Sequence, residues 1–367
     1  MHRFLLSGKG WPYLLVPFIP VAIALELAHA SAGLIFFAAA AGVIPTAALM
    51  GRATEELAAR SGPGIGGFLN VTFGNAPELI IAFFALEKGL QEVVKASLIG
   101  SILGNVLLVL GAAMLVGGWK RERQTFNQTA ATAQSAMLLL AVVALFMPTL
   151  FQLVEGGGLP MVGGQRVNFG NDVESLSIAV AIVLLISYAG GLLFSLRTHR
   201  DLFNPEGEGG HESEPWTVRK SVLALAAAGV AVGGMSEILV GSIGEASHSV
   251  GLSEFFVGVI VVAIVGNAAE HWVAVLVAAK DKMDLAVNIS IGSSAQIALF
   301  AAPVLVLLSF LVGPSPMALV FNGFEIAAVI LAILIAVHVT NEGESTWFEG
   351  LQLLAAYTVI GLTFFFA

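Results

Sequence analysis

The sequence predicts an all-α integral membrane protein with eleven transmembrane helices: one extra N-terminal helix, then two five-helix repeats of inverted topology. Three observations predict it. Of 367 residues, 57% are hydrophobic and only 11% are charged, with a mean hydropathy of +0.91; a water-soluble chain of this size needs far more surface charge. Eleven apolar segments are each long enough to cross a bilayer. One short motif is written twice, as Gly74-Asn75-Ala76-Pro77-Glu78 and Gly266-Asn267-Ala268-Ala269-Glu270, at an offset of 192 residues.

The segments fall at 11–29, 32–51, 64–87, 93–117, 133–153, 173–196, 217–243, 255–279, 285–312, 318–340 and 347–367. The first follows Arg3 and Lys9 and carries Pro12, Pro17 and Pro20. With ten more segments behind it, it reads as a retained helix, although Ala28-His29-Ala30 resembles a cleavage site. Thirteen of the 16 lysines and arginines fall in loops on the N-terminal side, against three (Lys88, Lys95 and Arg166) on the other. That bias places the N-terminus in the cytoplasm and the C-terminus outside. The absence of N- and C-terminal extensions points to a prokaryotic plasma membrane.

Four regions follow: an N-terminal helix (1–31), a first half (32–196), an acidic cytosolic linker (197–216) and a second half (217–367). The linker holds Asp201, Glu206, Glu208, Glu212 and Glu214 among glycines and two prolines. It reads first as a solvated, flexible connection. A weak cation-collecting or regulatory role is the second reading, and the spacing fits no EF-hand loop. The loop 154–172, with Gly156, Gly157, Gly158, Gly163 and Gly164, reads as a long connection.

The repeat extends beyond the motif. At the same offset of 192, Gly66 maps to Gly258, Lys88 to Lys280 and Ile99-Gly100-Ser101 to Ile291-Gly292-Ser293. Segments two to six then pair with seven to eleven. Five is odd, so the second copy enters the membrane upside down. Inverted repeats place a binding site near the midplane, where the two copies meet.

A glutamate at mid-membrane is costly, and is a functional-site hypothesis by default. Asn75 and Glu78 share a helix face at i, i+3, as do Asn267 and Glu270. Gly74 and Pro77 weaken the first helix, since proline removes a donor and clashes with the preceding turn. The second copy has Ala269 in place of proline, so a break there would rest on Gly266 alone. Ser101 and Asn105, and Ser293 and Gln296, add oxygens from the neighbouring helices. The set is all-oxygen and flexible, which suits Ca²⁺ as the metal held by Glu78 and Glu270. Mg²⁺ keeps its waters and fits less well. Two carboxylates are neutralised by one Ca²⁺ or by two protons, so the same groups can bind either competitively. The empty, doubly charged site is too costly to carry across, while either loaded form can cross.

The alternative for Glu78 and Glu270 is a structural pair in a helix bundle; the matched contexts speak against it. Ser101, Ser293 and Gln296 also suit interhelical glue. His271 could partner a proton, but as Glu270's neighbour it projects elsewhere, and packing is the stronger reading. Four further acids mark a route. Glu55 and Glu245 each lie four residues past a glycine, at opposite mouths by the repeat. Glu237 lies deeper in the seventh segment, and Glu325 near the external start of the tenth. Each also reads as an interfacial acid, and Glu56, Glu342 and Glu344 read as that outright.

Several classes are excluded. The chain has no cysteine, hence no disulfide, thiolate metal site or thiol catalysis. A net charge of −9 argues against nucleic acid. There is no G-x-x-x-x-G-K-[ST] and no cytosolic domain large enough for ATP, hence no primary pump. The seven histidines never form H-E-x-x-H, so a membrane metalloprotease is out. A secondary transporter, not an enzyme, remains, needing no resident cofactor. A cation channel is the farther alternative, because inverted repeats favour alternating access over a continuous pore.

Gly-Asn-Ala-Pro-Glu and Gly-Asn-Ala-Ala-Glu-His resemble the paired alpha-repeat motifs of calcium/proton antiporters, the CAX family of the cation/calcium exchanger superfamily. Ala53-Thr54-Glu55-Glu56-Leu57, Gly100-Ser101-Ile102-Leu103-Gly104-Asn105, Ser236-Glu237-Ile238-Leu239-Val240-Gly241 and Gly292-Ser293-Ser294-Ala295-Gln296-Ile297 extend the resemblance over nearly the whole chain. Sodium/calcium exchangers of the superfamily typically carry a hydroxyl-rich motif there, and are the nearer alternative. The resemblance implies movement of cytosolic Ca²⁺ in exchange for H⁺. It implies that Glu78 and Glu270 match the essential acids, that Asn75 and Asn267 match flanking ligands, and that the chain assembles as a homo-oligomer, a trimer in some members. The linker is short, which departs from regulation by an extended acidic helix.

Overall fold

In hydrocarbon, backbone N–H and C=O groups must be satisfied internally, so a chain this apolar folds as helices. The structure, a computed structural model, describes residues 10–162, 168–198 and 216–367. The linker acids Asp201, Glu206, Glu208, Glu212 and Glu214 lie outside the described residues, as do Gly163, Gly164, Arg166, Arg3 and Lys9.

The first apolar helix, α1 (Trp11–Leu27), is short, and is followed by α2 (Ala32–Arg60). Then α3 (Gly62–Gly74) and α4 (Ala76–Glu87) meet at Asn75, and the pair is bent by 41°. Next come α5 (Gln91–Gly118), α6 (Gln128–Val154), α7 (Asn171–Thr198) and α8 (Val218–Val250). The chain closes with α9 (Glu254–Ala279), α10 (Met283–Leu308), α11 (Gly323–Thr340) and α12 (Trp347–Phe366). Among the described residues, nine helices are long and apolar enough to cross a membrane, or ten with the bent pair counted as one. One two-stranded ribbon pairs β1 (Gln124–Thr125) with β2 (Glu344–Ser345).

Contacts order the helix ends. At one end, which we call the linker end, Arg60 Nε donates to Trp216 O at 3.2 Å. Arg121 pairs with Asp281 at 3.1 Å on the same side, beside the ribbon. At the far end, Gln91 Nε2 donates to Ser315 O at 2.7 Å. The offset of 192 has a backbone counterpart: Gly89 (φ 75°) and Asp281 (φ 67°) both adopt the left-handed region. They turn the chain between α4 and α5, and between α9 and α10. Glycine does this freely and aspartate tolerates it.

α5 is the inner span, with 78% of its apolar window buried, against 17% for α12, which lies at the periphery. Two helices outrun the hydropathy bounds. α2 continues to Arg60 and α8 to Val250. The polar end of α2 is built largely from good helix formers, and there Arg52 and Glu56 stand i, i+4 at 4.0 Å.

The tenth segment corrects the expected start at 318. The helix begins at Gly323, and the preceding 316–322 is not helical, with 317–322 buried. Asn322 is the physical reason: its Oδ1 accepts from Phe324 N and Glu325 N, while Glu325 Oε2 accepts from Asn322 N at 2.8 Å. This capping box sets the helix start. Non-helical backbone at membrane depth survives only inside protein. Here Ser309 Oγ accepts from Met317 N (2.8 Å), Ser177 Oγ from Leu319 N (3.0 Å) and Thr149 Oγ1 from Phe321 N (3.1 Å). Thr149 Oγ1 also donates to Leu319 O at 3.0 Å, and Lys95 Nζ to Val320 O at 2.7 Å. Lys95, expected among the loop charges, is therefore an interior residue, and carries no topology signal.

Candidate functional site

The bend begins at Asn75, which ends α3 and opens α4 with φ −92° and ψ 15°. Pro77 occupies the first turn of α4, where a missing N–H costs nothing. Glu78 follows in that turn, where the helix dipole favours a carboxylate. The break expected at Gly266 is not there. Gly266 sits inside the regular helix Ala263–Ala279, because Ala269 keeps its backbone donor and a lone glycine does not stop a helix. The irregularity lies one turn earlier, as a π-helical stretch over Val257–Val262.

Similar π-helical stretches run over Gly104–Val109, Asn288–Gly292 and Ile297–Ala301. Asn105 lies in the first, and Ser293 and Gln296 between the other two. Such windings rotate side chains out of ordinary helical register and recur at functional sites.

The predicted polar residues converge. Asn75 Nδ2 donates to Gln296 Oε1 at 2.7 Å. Asn267 Nδ2 donates to Ser101 Oγ at 3.1 Å and to Ala263 O at 3.0 Å. His271 Nε2 and Asn105 Oδ1 lie 3.0 Å apart. Asn75–Gln296, Ser101–Asn267 and Asn105–His271 each join a residue of the first half to one of the second. Ser293 Oγ reaches Glu270 Oε2 at 3.5 Å.

The two glutamates pack reciprocally. A Cβ built on Gly266 would stand 3.3 Å from Glu78 Cγ, and one on Gly74 would stand 3.4 Å from Glu270 Oε1. Each glutamate side chain thus lies against the other copy's glycine. Glu78 lies within electrostatic range of Glu270. Glu55, exposed at the linker end, lies within range of Glu270 in turn. Glu237 and Glu245 stand exposed on α8, and Glu325 is buried in the α11 capping box; the structure does not bring these three into the central hydrogen-bond set.

Three buried oxygens in this set have no hydrogen-bond donor among the described residues: Asn75 Oδ1, Glu78 Oε2 and Asn267 Oδ1. Buried polar atoms are rarely left so. Glu78, Ser97 and Ser101 also border a cavity of about 10 Å³ whose remaining walls are apolar, Leu98 and Val262 among them. Ser97 was missed by the sequence reading, although its i, i+4 spacing to Ser101 on one helix face could have found it; here its hydroxyl donates to Val94 O at 2.8 Å. The donor set, carboxylates with amides and hydroxyls, is suited to a hard cation that keeps some of its waters.

The family model described as sodium/calcium exchanger protein matches residues 31–197 and 220–366. A Ca²⁺/H⁺ antiporter of Synechocystis is 44% identical over 96% of both chains. The Ca²⁺/H⁺ antiporter ChaA of Bacillus subtilis is 42% identical over 95% of this chain and 96% of its own. Among solved structures, native YfkE superposes with a TM-score of 0.81 at 40% identity, covering 97% of this chain and 100% of that one. The H⁺/Ca²⁺ exchanger CAX shares the fold, with a TM-score of 0.71 at 14% identity over 99% of this chain and 93% of that one. The chain belongs to the sodium/calcium exchanger protein family, as a member of its calcium/proton antiporter (CAX) group.

Proposed function

We propose that this protein is a secondary-active antiporter that moves Ca²⁺ out of the cytosol in exchange for H⁺. The relatives named Ca²⁺/H⁺ antiporters, at 42% and 44% identity over nearly the full chain, support the choice of ions. The observation that carries the site is the set of three donor-less buried oxygens beside two carboxylates. A Ca²⁺ accepts all of them as ligands; protons on Glu78 and Glu270 supply donors instead. The two loads are therefore mutually exclusive on the same atoms, which is what exchange requires. Asn75, Asn267, Ser101, Asn105, Ser293 and Gln296 complete the cation shell, with water. No resident cofactor or nucleotide takes part.

Alternating access is the mechanism we infer, and an asymmetry between the repeats supports it. At the far end, a Cβ on Gly100 would stand 1.9 Å from Val259 O, and one on Gly258 would stand 3.0 Å from Ala96 Cβ. α5 and α9 therefore touch backbone to backbone. At the repeat-related position, Gly292 meets side chains, Asn288 Oδ1 at 3.2 Å and Gln134 beyond it, while Gly66 packs on Ala58 O of α2. One crossing is closed and its mate is not. We take the closed one as external and the linker end as cytoplasmic, so that Glu55 guards the cytosolic mouth and Glu245, with Glu237 behind it, the external one. The N-terminus is then cytoplasmic, in a prokaryotic plasma membrane. The halves 32–196 and 217–367 act as the two repeats, joined by the acidic linker 197–216. The protein assembles as a homo-oligomer.

The test is calcium uptake into proteoliposomes under an imposed pH gradient, with and without sodium, for the parent and for Glu78→Gln and Glu270→Gln. Sodium-independent uptake lost in both variants is expected. Uptake that requires sodium moves the protein to the sodium/calcium branch. Full uptake in either variant removes the glutamates from the mechanism.

A further inference from the structure

A second group of ionisable side chains lies at the far end, away from the central set. Glu92 and Lys95 stand i, i+3 on α5, and Lys95 Nζ is 2.5 Å from Glu92 Oε1. The same ammonium donates to Val320 O at 2.7 Å and lies 5.6 Å from the centre of the Phe169 ring. Glu325, on α11 packed against α5, faces both Lys95 and Glu92. Lys95 is 1% exposed and Glu325 0%. Glu92, at 15%, is the most accessible of the three. Lys95 precedes Ser101 by six residues, about 9 Å of helix rise, so the group is distinct from the central site.

The hydrogen bonds of Glu325 are uneven. Its Oε2 accepts from Asn322 N and completes the capping box. Its Oε1 is buried and has no partner among the described residues. The single ammonium is committed to Glu92 and Val320. Two carboxylates against one ammonium leave a net negative charge inside apolar surroundings. An uncompensated charge of that kind is strongly disfavoured. The arrangement becomes neutral with one more positive charge, which a proton on the buried, unpartnered Glu325 Oε1 supplies.

We propose that Glu92, Lys95 and Glu325 form a second proton-binding site, which takes one proton from the water at the far end and holds it on Glu325. Glu92 is the contact with water, and Lys95 fixes Glu92 as the ionised partner. The proton keeps Lys95 on the Val320 carbonyl, and so keeps the non-helical stretch 316–322 seated. When the proton leaves, Glu325 competes for the same ammonium. The inference does not rest on the reading of the central site, and the test separates them.

The experiment is infrared spectroscopy of the full-length protein in liposomes, comparing acidic with alkaline buffer, without calcium. A protonated carboxyl has a C=O stretch that a carboxylate lacks. The expected result is one such pH-dependent band that vanishes in Glu325→Gln and survives in the Glu78→Gln/Glu270→Gln double variant. Glutamine also serves at the third position of a capping box, so the helix start is preserved. Lys95→Met should add a second protonated-carboxyl band, because both acids then need protons. A purely structural cluster moves neither band. A Glu325→Gln spectrum identical to the parent in this region overturns the proposal, and does so whether or not Lys95→Met folds.

Discussion

Glu78 lies against Gly266 of the other repeat, so close that a methyl group on that glycine would stand 3.3 Å from Glu78 Cγ. The converse holds for Glu270 and Gly74, at 3.4 Å from Glu270 Oε1. The motif glycines thus set aside room for the acids rather than breaking both helices. We predict that Gly266→Ala lowers calcium uptake by about tenfold or more, equivalent to about 1.4 kcal/mol, with the folded protein retained. Uptake assays alongside thermal melts check it. Equal uptake in Gly266→Ala would show that the space is not used.

Asn75 and Gln296 form a single hydrogen bond across the repeats, 2.7 Å long. Removing either partner frees the other, and also deletes a candidate ligand. Asn75→Ala and Gln296→Ala should each raise the calcium concentration for half-maximal uptake by about tenfold, ~1.4 kcal/mol. The double variant should fall well short of the sum, because both act on one linked pair. Strict additivity in that cycle would argue that the two amides work independently.

The close crossing of α5 and α9 offers a covalent test. The chain has no cysteine, so introduced pairs report without background. Ala96 Cβ and a Cβ built at Gly258 are 3.0 Å apart, so the two helices need part by only about 0.5 Å to reach the lower end of disulfide geometry. Ala96→Cys with Gly258→Cys should cross-link under mild oxidation and stop transport, and reduction should restore it. A cross-linked protein that transports at the full rate would contradict a moving crossing.

Thr149 serves the non-helical stretch twice, donating to Leu319 O and accepting from Phe321 N. Thr149→Val keeps the shape and leaves a buried N–H and C=O without partners. The predicted cost is about 1–3 kcal/mol, read as a lower melting temperature in detergent. Thr149→Ser, which keeps the hydroxyl, should recover most of it. An unchanged melt in Thr149→Val would mean that water replaces the hydroxyl.

Much of the architecture is legible in the chain itself. Helical spans follow from apolar runs, because hydrocarbon leaves the backbone no other partner. The inverted repeat follows from Gly74 and Gly266 standing in one motif at a fixed offset. The acid pair follows because a glutamate in such a run is too costly to be incidental. The local α3–α4 break at Asn75 could be read from Gly74 and Pro77, since both act through their own backbone.

Other features depend on what lies across the fold. Gly266 shares the Gly-Asn-Ala motif of Gly74, but only the packing shows that Glu78 of the other repeat lies against it. Lys95 looks like a loop charge until Val320, 225 residues away, supplies its carbonyl. The stretch 316–322 is as hydrophobic as a helix, but Asn322 caps later, and Ser177 and Thr149 satisfy its backbone from other spans. The sequence alone determined which residues are too polar for the membrane and that they come in two matched copies. Only the tertiary structure decided which of them meet: Asn75 with Gln296, Asn267 with Ser101, and each glutamate with the other copy's glycine. Composition and local propensity act over a few residues, whereas these pairings are fixed by how two distant halves pack.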